Sequence, residues 1–317
     1  MKSVLVVRPS SLGDIVYALA LATDIRRRYP DAVVDWVSEP GFAPLVRLAP
    51  AIRNVIPFGL RRWRRAPLAR ETWRDVRAFA QDLRRTRYDV VLDLQEQVKG
   101  ALIARLARGT RHGFDAASIR EPLATLGDDV HHRVSRDLHF LARCRRLAAL
   151  ALDLDAGTPP RWHLQPPQHA PAMPDRPYAM LLHGTSRDDK LWPEAHWRRV
   201  QQALAGAGLA MVLPWGSAAE EARSHRLADG IAGAVVPPWL SLPDAAALLS
   251  HARLAIGVDT GFTHLAAALR TPTIAIFTAT EPGRHGVAAT GSHGIDLGDR
   301  EAMPPPDVVI DAIGRSL

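Results

Sequence analysis

Short runs of apolar residues alternate along the chain with longer segments in which apolar residues recur every three or four positions. The short runs predict buried strands, and the longer segments predict amphipathic helices. The predicted strands are 4–7, 33–37, 90–94, 178–182, 209–213, 254–258 and 273–277. Helices are expected to begin near Asp14, Lys99, Pro193, Ser217 and Gly261, and to span 71–87 with Trp73, Val76, Ala80 and Leu83 on one stripe. This alternation predicts an α/β protein with parallel sheets covered on both faces.

A proline-rich segment divides the chain. Residues 157–177 contain seven prolines and little periodicity, which indicates an extended linker. A chain of 317 residues also exceeds the size at which one core usually stops growing. We therefore expect two Rossmann-like domains, 1–156 and 178–317, that face a central cleft. In open parallel sheets, ligands bind beyond the carboxyl ends of the strands.

Charge is distributed unevenly between the two halves. Residues 1–160 hold 27 Lys and Arg against 18 Asp and Glu, whereas residues 161–317 hold 13 against 15. The basic half is therefore expected to meet an anion, and nucleic acid, a phospholipid surface and a phosphorylated substrate all qualify. A solvated arginine-rich surface is the alternative.

Several classes of protein are disfavoured. Cys144 is the single cysteine, which excludes an intrachain disulfide. It is expected on a helix, with its side chain in the hydrophobic core. No apolar run is long enough to span a bilayer, and residues 4–7 are too short for a signal peptide, so a cytoplasmic protein is expected. His131 and His132 are adjacent and cannot easily share a metal. The Asp153-Leu154-Asp155 stretch borders the proline-rich segment, so no metal site and no cofactor are expected.

The first loop with candidate chemistry is "RPSSLGDIVYAL", residues 8–19. It connects a predicted strand to a helix and brings Asp14 to the carboxyl end of the strand. A carboxylate there can accept a proton from a substrate. Alternatively, Asp14 only complements the dipole in the first turn of its helix.

The second loop is "HGTSRDDKLWPEAHW", residues 183–197, which holds one of only three lysines in the chain, Lys190. Two hydroxyls, from Thr185 and Ser186, a glycine and a compact cation suit a diphosphate. A solvated turn followed by a helix with Pro193 at its first position and packed tryptophans is the alternative.

Two further loops follow strands in the second half. In "GVDTGFTHLAAAL", residues 257–269, the helix amides of 261–263 are expected to point outward, where they bind phosphate readily. The alternative is that Asp259 caps the helix and His264 is satisfied internally. In "LPWGSAAEEARSHRL", residues 213–227, Glu220 could accept hydrogen bonds from ribose hydroxyls or be an ordinary first-turn acid.

The stretch "RRWRR", residues 61–65, places four guanidinium groups around one indole. Nucleic acid could use it, with Trp63 stacking on a base. A phosphorylated or carboxylated acceptor near a membrane fits equally well, and an exposed charge run is the third possibility.

These motifs together resemble the lipopolysaccharide heptosyltransferase family. The similarity covers residues 2–282 and is carried in order by "SSLGD", "RRWRR", "VKGALIARLARGTRHGFD", "REPLA", "TSRDDKLWPEAHW", "LPWGSAAEEARSHRLA" and "VDTGFTHLAAAL". "REPLA" and the tryptophan–lysine loop favour heptosyltransferase I within the family. The stretch "FTATEP", residues 277–282, departs from the family pattern.

The resemblance implies a metal-independent, inverting glycosyltransferase of the glycosyltransferase B fold. A monomer is expected. It would transfer heptose from ADP-L-glycero-D-manno-heptose to the Kdo of Kdo-lipid A at the anionic cytoplasmic face of the inner membrane. By position, Asp14 matches the family's general base. The implied donor contacts are Thr185, Ser186, Lys190, Glu220, Leu240, Asp259, Thr260, Gly261 and His264. The implied acceptor contacts are Ser10, Ser11, Arg61, Arg62, Arg64, Arg65, Lys99 and Arg120.

Two other functions remain open. One is heptosyltransferase II or a related lipopolysaccharide glycosyltransferase. The other is a nucleic-acid-binding protein that uses the arginine-rich half, although the chain carries no recognition helix or RNP-like motif.

Overall fold

The computed structural model describes residues 2–291 and 294–317. The chain forms two compact units, Met1–Gln165 and Pro166–Leu317, so the division falls inside the proline-rich segment. The first part of that segment packs on unit 1: the indole N–H of Trp162 donates to the carbonyl of Val16 at 2.6 Å. No helix in the described part of the chain is long and apolar enough to cross a membrane.

Unit 1 is built around a six-stranded parallel sheet with the strand order β3-β2-β1-β4-β5-β6. Its strands are β1 Ser3–Val7, β2 Val33–Ser38, β3 Ile52–Pro57, β4 Arg87–Asp93, β5 Arg108–Phe114 and β6 Val130–His132. Its helices are α1 Leu12–Arg28, α2 Ala43–Val46, α3 Leu60–Arg65, α4 Arg70–Arg85, α5 Val98–Leu106 and α6 Phe140–Leu152.

Unit 2 repeats this arrangement with the strand order β12-β11-β10-β7-β8-β9, again all parallel. Its strands are β7 Tyr178–Leu182, β8 Ala210–Val212, β9 Ala234–Val235, β10 Leu254–Val258, β11 Thr273–Ile276 and β12 Gly294–Leu297. Its helices are α7 Glu194–Gly206, α8 Ala218–Ala228, α9 Leu242–His251, α10 Gly261–Ala268, α11 Pro282–His285 and α12 Pro306–Ser316.

The predicted fold class is confirmed, with two α/β units and parallel sheets. The central strands β7 and β10 are buried at every residue, which is why they appear in the sequence as continuous apolar runs. Helices on both faces complete the cores; Trp192 and Trp197 are fully buried and pack edge to face, with ring centroids 5.3 Å apart. Cys144 is buried in α6, as expected.

The prediction drawn from the pattern of apolar residues was wrong in several details. The predicted helix 71–87 is α4, Arg70–Arg85, and Arg87 already belongs to β4. Leu83 is buried as predicted, but Trp73 is 64% exposed, and the second buried residue of α4 is Phe79, which was not on the predicted stripe. Pro193 is the N-cap of α7, not its first helical residue.

Five strands were not predicted: β3, β5, β6, β9 and β12. Four of them, β3, β6, β9 and β12, are edge strands that are only partly buried, so their side chains carry little apolar signal. The strand β5, with the sequence RGTRHGF, is mostly polar. Hydrogen bonds to a neighbouring strand, not side-chain burial, define these elements.

Candidate active site

Asp14 lies in the first turn of α1, where its carboxylate is held by three donors. Oδ2 accepts from the backbone N–H of Ser11 at 3.1 Å and from the Ser11 hydroxyl at 2.7 Å, and it also pairs with the guanidinium of Arg8. The Asp14 side chain is 20% exposed. Asp14 therefore occupies the first turn of its helix, where it can complement the helix dipole, and it still presents an orientated carboxylate to solvent.

Arg8 is nearly buried, and three contacts fix its guanidinium. It donates to the carbonyl of Leu94, pairs with Asp14, and lies over the ring of Phe140 at 4.7 Å from the centroid. The fixed guanidinium holds the Asp14 carboxylate in place. Arg8 was not among the predicted site residues, although its position at the end of a buried strand is the signal that could have identified it.

Ser10 and Lys99 contact each other at the carboxyl edge of the sheet, where Asp14 also lies. The Lys99 ammonium donates to the Ser10 hydroxyl at 2.9 Å. Burial is the main cause that lowers the pKa of Lys99, although Glu39 opposes it. The Ser10 amide faces Oε1 of Gln95 at 3.4 Å. Ser10, Ser11, Asp14 and Lys99 thus form one polar cluster beyond the carboxyl ends of β1 and β4.

The RRWRR stretch forms α3, and the structure separates its indole from its guanidiniums. Trp63 is buried against Phe58 and Phe79, with ring centroids 5.3 and 5.7 Å away. The predicted stacking of Trp63 on a base is therefore wrong, because its faces are used in the core. The four arginines are exposed.

The charge of this cluster is partly compensated. Arg61 pairs with Glu39 at 2.9 Å, and Arg62 pairs with Asp75. Arg64 and Arg65 are exposed on the last turn of α3. Arg120 is also exposed and lies just before the 3-10 turn Pro122–Gly127.

In unit 2, Asp259 is the centre of a polar cluster at the carboxyl ends of three adjacent strands. Its carboxylate accepts from the Lys190 ammonium at 2.7 Å and from the Thr280 hydroxyl at 2.7 Å, and Nε2 of His264 is 3.3 Å away. Burial alone raises the pKa of Asp259, but the hydrogen bonds and charges of His264 and Lys190 outweigh it and hold this pKa well below its usual range. Asp259 is therefore ionised.

The start of α10 differs from expectation in two ways. The N-cap residue is Thr260, so the alternative in which Asp259 caps the helix is wrong. The amide of Thr263 donates back to the Thr260 carbonyl at 3.1 Å, so it does not point outward as predicted. Gly257 permits this turn to pack closely, since a Cβ there would lie 2.1 Å from the Thr263 hydroxyl.

The loop after β7 approaches α8 and α10. The Thr185 hydroxyl donates to the Asp259 carbonyl at 3.4 Å, whereas Ser186 is exposed. Glu220 accepts from the amide of Gly216 at 2.7 Å and packs over Gly184, where a Cβ would lie 2.6 Å from its Oε1. The Glu220 carboxylate is thus fixed beside the carboxyl end of β7. Leu240 is buried.

Thr280 was missed by the sequence analysis. It lies in the "FTATEP" stretch, which follows β11. Position after a buried strand was again the available signal.

Within residues 2–291 and 294–317, no group of three His, Cys, Asp or Glu side chains is arranged to hold a metal ion. His132 does not pair with its neighbour His131: its Nε2 is 3.0 Å from Nδ1 of His112, and the two rings are stacked. His183 is buried with Nε2 2.8 Å from the Ser224 hydroxyl, and burial lowers its pKa to about 4, so it is neutral.

The model of glycosyltransferase family 9 (heptosyltransferase) matches residues 76–306, which is more than half of the chain. The chain belongs to this family. It is 39% identical to lipopolysaccharide heptosyltransferase 1 of Escherichia coli K12 over 88% of this chain and 89% of the relative. It is 41% identical to the heptosyltransferase 1 of Pseudomonas aeruginosa over 93% and 83%. The match to lipopolysaccharide heptosyltransferase 2 of Salmonella typhimurium is 25% over 88% and 83%.

The structure of E. coli heptosyltransferase WaaC with ADP superposes with a TM-score of 0.89 at 35% identity, covering 99% of this chain and 100% of that one. This family member therefore has the heptosyltransferase fold throughout.

Proposed function

We propose that this glycosyltransferase transfers L-glycero-D-manno-heptose from ADP-heptose to the Kdo of Kdo-lipid A, the heptosyltransferase I reaction. The observation that carries this proposal is the 39–41% identity to heptosyltransferases 1 over most of both chains, against 25% to a heptosyltransferase 2. The polar clusters in each unit supply the groups that such a transfer requires.

Unit 2 would hold the donor. Lys190 and the amides of Gly261 and Phe262 at the start of α10 would offer positive charge for the diphosphate without a metal. Thr185 contacts the Asp259 carbonyl, and His264 faces the same carboxylate as Lys190. Ser186, Thr260 and Gly261 would add further contacts to the donor. Glu220 would accept hydrogen bonds from the ribose, and Leu240 would contact the adenine through its backbone.

Unit 1 would hold the acceptor and the general base. Asp14, orientated by Arg8 and Ser11, would accept the proton of the Kdo hydroxyl as its oxygen attacks the anomeric carbon. The bond between that carbon and the diphosphate oxygen breaks, its electron pair goes to ADP, and configuration inverts. Ser10, Lys99, Arg120 and the four arginines of α3 would meet the anionic acceptor.

We propose further that the protein works as a monomer and that unit 1 contacts the anionic inner-membrane surface. The exposed Arg64 and Arg65 lie close in sequence to Leu68 and Trp73, which are 90% and 64% exposed. Exposed apolar side chains beside guanidiniums suit an interface with anionic lipid. Salt-sensitive sedimentation with phosphatidylglycerol vesicles, lost on replacing Trp73 and Arg64 by Ala, is the expected result.

Product analysis tests the reaction itself. Purified protein is mixed with ADP-heptose and, in parallel, with Kdo-lipid A or with an acceptor that already carries one heptose. Addition of one heptose to Kdo-lipid A alone, with and without EDTA, is expected. Transfer only to the heptosylated acceptor would indicate a heptosyltransferase II, and activity that EDTA abolishes and Mg²⁺ restores would contradict the metal-independent mechanism.

A further inference from the structure

Unit 1 contains a cavity of about 710 Å³ whose lining includes no residue of the candidate donor or acceptor site. Its wall is formed by the last turns of α1, by Pro50 and Ala51 just before β3, and by positions 158–163 of the proline-rich segment. Cavities of about 300–1,000 Å³ are the usual size of small-molecule sites.

This cavity is remote from Asp14. The last turns of α1 lie at the amino-terminal edge of the sheet, whereas Asp14 lies at the carboxyl edge. Asp14 and Arg26 are separated along α1 by about 18 Å, at about 1.5 Å of rise per residue. A ligand here would therefore not compete with the acceptor for the base.

The cavity is lined by positive charge. Arg26, Arg27, Arg161 and His163 contribute to its wall, and none of its described lining residues is acidic. The nearby carboxylate of Asp24 is shared, because it accepts from Arg145 at 2.7 Å and from Arg27 at 3.2 Å. One negative charge thus faces two guanidiniums, and an excess of positive charge remains.

The arginines are orientated before any ligand binds. Arg27 donates to the Asp155 carbonyl at 3.3 Å and to the Thr158 hydroxyl, and Arg26 donates to the Ala32 carbonyl at 2.9 Å. Preorganised donors lose less conformational entropy when an anion binds. The bond from Arg27 to Thr158 also joins the end of α1 to the proline-rich segment.

Stabilisation of the helix end accounts for only part of this charge. Arg26 and Arg27 in the last turn of α1 complement its dipole. Arg161 lies in a segment without helix or strand, anchored by the bond from Trp162 to Val16, so it serves no helix end. Stabilisation of α1 therefore does not explain why Arg161 lines the same cavity as Arg26 and Arg27.

We propose that this cavity binds the phosphate groups of a phosphorylated ligand at a site separate from the donor and acceptor sites. Guanidinium forks match phosphate oxygens bidentately, and the ring of His163 adds a further donor. A soluble organophosphate and a phospholipid head group share this chemistry.

Isothermal calorimetry with inorganic pyrophosphate tests the site, in saturating ADP so that the donor site is filled. One further pyrophosphate is expected to bind per chain, and the double variant R26A/R161A should bind it at least about tenfold more weakly, since each lost contact is charge-assisted. The variant R84A/R105A, which removes two exposed arginines elsewhere on unit 1, is the matched control and should bind normally. Thermal unfolding confirms that both variants are folded.

Absence of a second pyrophosphate site, or equal affinity in the two double variants, would overturn the proposal. Sedimentation with phosphatidylglycerol vesicles distinguishes the sources. If R26A/R161A loses vesicle binding as well as pyrophosphate binding, the ligand is a lipid head group. If vesicle binding is unchanged while pyrophosphate binding falls, the ligand is a soluble phosphate compound.

Discussion

Lys190 and Asp259 form a direct ion pair, with the ammonium nitrogen 2.7 Å from Oδ2 and both side chains mostly buried. The pair joins the loop after β7 to the turn after β10. Lys190 is therefore held at the start of α10 before a donor binds, and its charge is shared between Asp259 and any diphosphate that arrives.

We expect Lys190→Ala to weaken ADP and ADP-heptose alike, because the diphosphate is common to both. A charge-assisted contact contributes about 1.5–3 kcal/mol, which is roughly 10- to 150-fold in affinity. Lys190→Arg should restore little, since the larger fork cannot occupy the same point beside Asp259. Calorimetry with ADP measures this. Arg187→Ala, which removes an exposed neighbouring cation, is the control, and unchanged ADP affinity in Lys190→Ala would refute the role.

Asp14→Asn should lower turnover by about 10²–10⁴-fold, the usual cost of losing a general base. The amide oxygen can still accept from Ser11, so the first turn of α1 should remain intact. Donor affinity should not change, because Asp14 belongs to unit 1. Steady-state kinetics and ADP calorimetry separate these effects, and turnover within about threefold of the parent would show that Asp14 only stabilises its helix.

Gly184→Ala should weaken donor binding without unfolding unit 2. The new Cβ would lie 2.6 Å from Oε1 of Glu220 and displace that carboxylate from its place beside β7. Gly206→Ala, where nothing lies within 4 Å of the new Cβ, is the matched control. Affinities for ADP-heptose are compared; equal values for the two variants would mean that Glu220 does not contact the ribose.

Replacing Arg61 and Arg64 by Ala should raise the acceptor KM and leave donor affinity nearly unchanged. Arg64 is exposed, and Arg61 is exposed beside Glu39, so neither supports the core. Initial rates at varied Kdo-lipid A are the measurement. An equal loss for both substrates would indicate misfolding, and tight, salt-sensitive DNA binding by the parent that the variant loses would favour the nucleic-acid function.

Stability should depend on pH through Asp93. Burial, with the nearby Asp128 as the next cause, raises the pKa of Asp93 to about 8. In the unfolded chain this group loses its proton near pH ~4, so between about pH 4 and 8 the folded state binds more protons and the free energy of unfolding falls as pH rises. Asp93→Asn should make this dependence shallower.

Urea unfolding at pH 5 and pH 8 measures the effect of Asp93. The exposed Asp31→Asn is the control and should retain the parent's difference between the two pH values. An Asp93→Asn variant with that same difference would show that Asp93 is ionised in the folded protein.

The sequence by itself determined the fold class and most of the candidate loops. Buried central strands must be apolar at every position, so β7 and β10 were predicted with their observed bounds. Polar residues directly after such strands lie at the edge of the sheet where ligands bind, which is why Asp14, Lys190 and Asp259 could be named as candidates.

Only the tertiary structure decided which of these residues meet. Lys190, Asp259 and Thr280 converge because β7, β10 and β11 are neighbours in the sheet, and strand order is set by long-range packing that no local pattern records. Likewise, the period of a helix shows that one face is apolar but not which element covers it. Trp63 is therefore in the core among exposed arginines, and Trp73, on a predicted apolar stripe, is exposed.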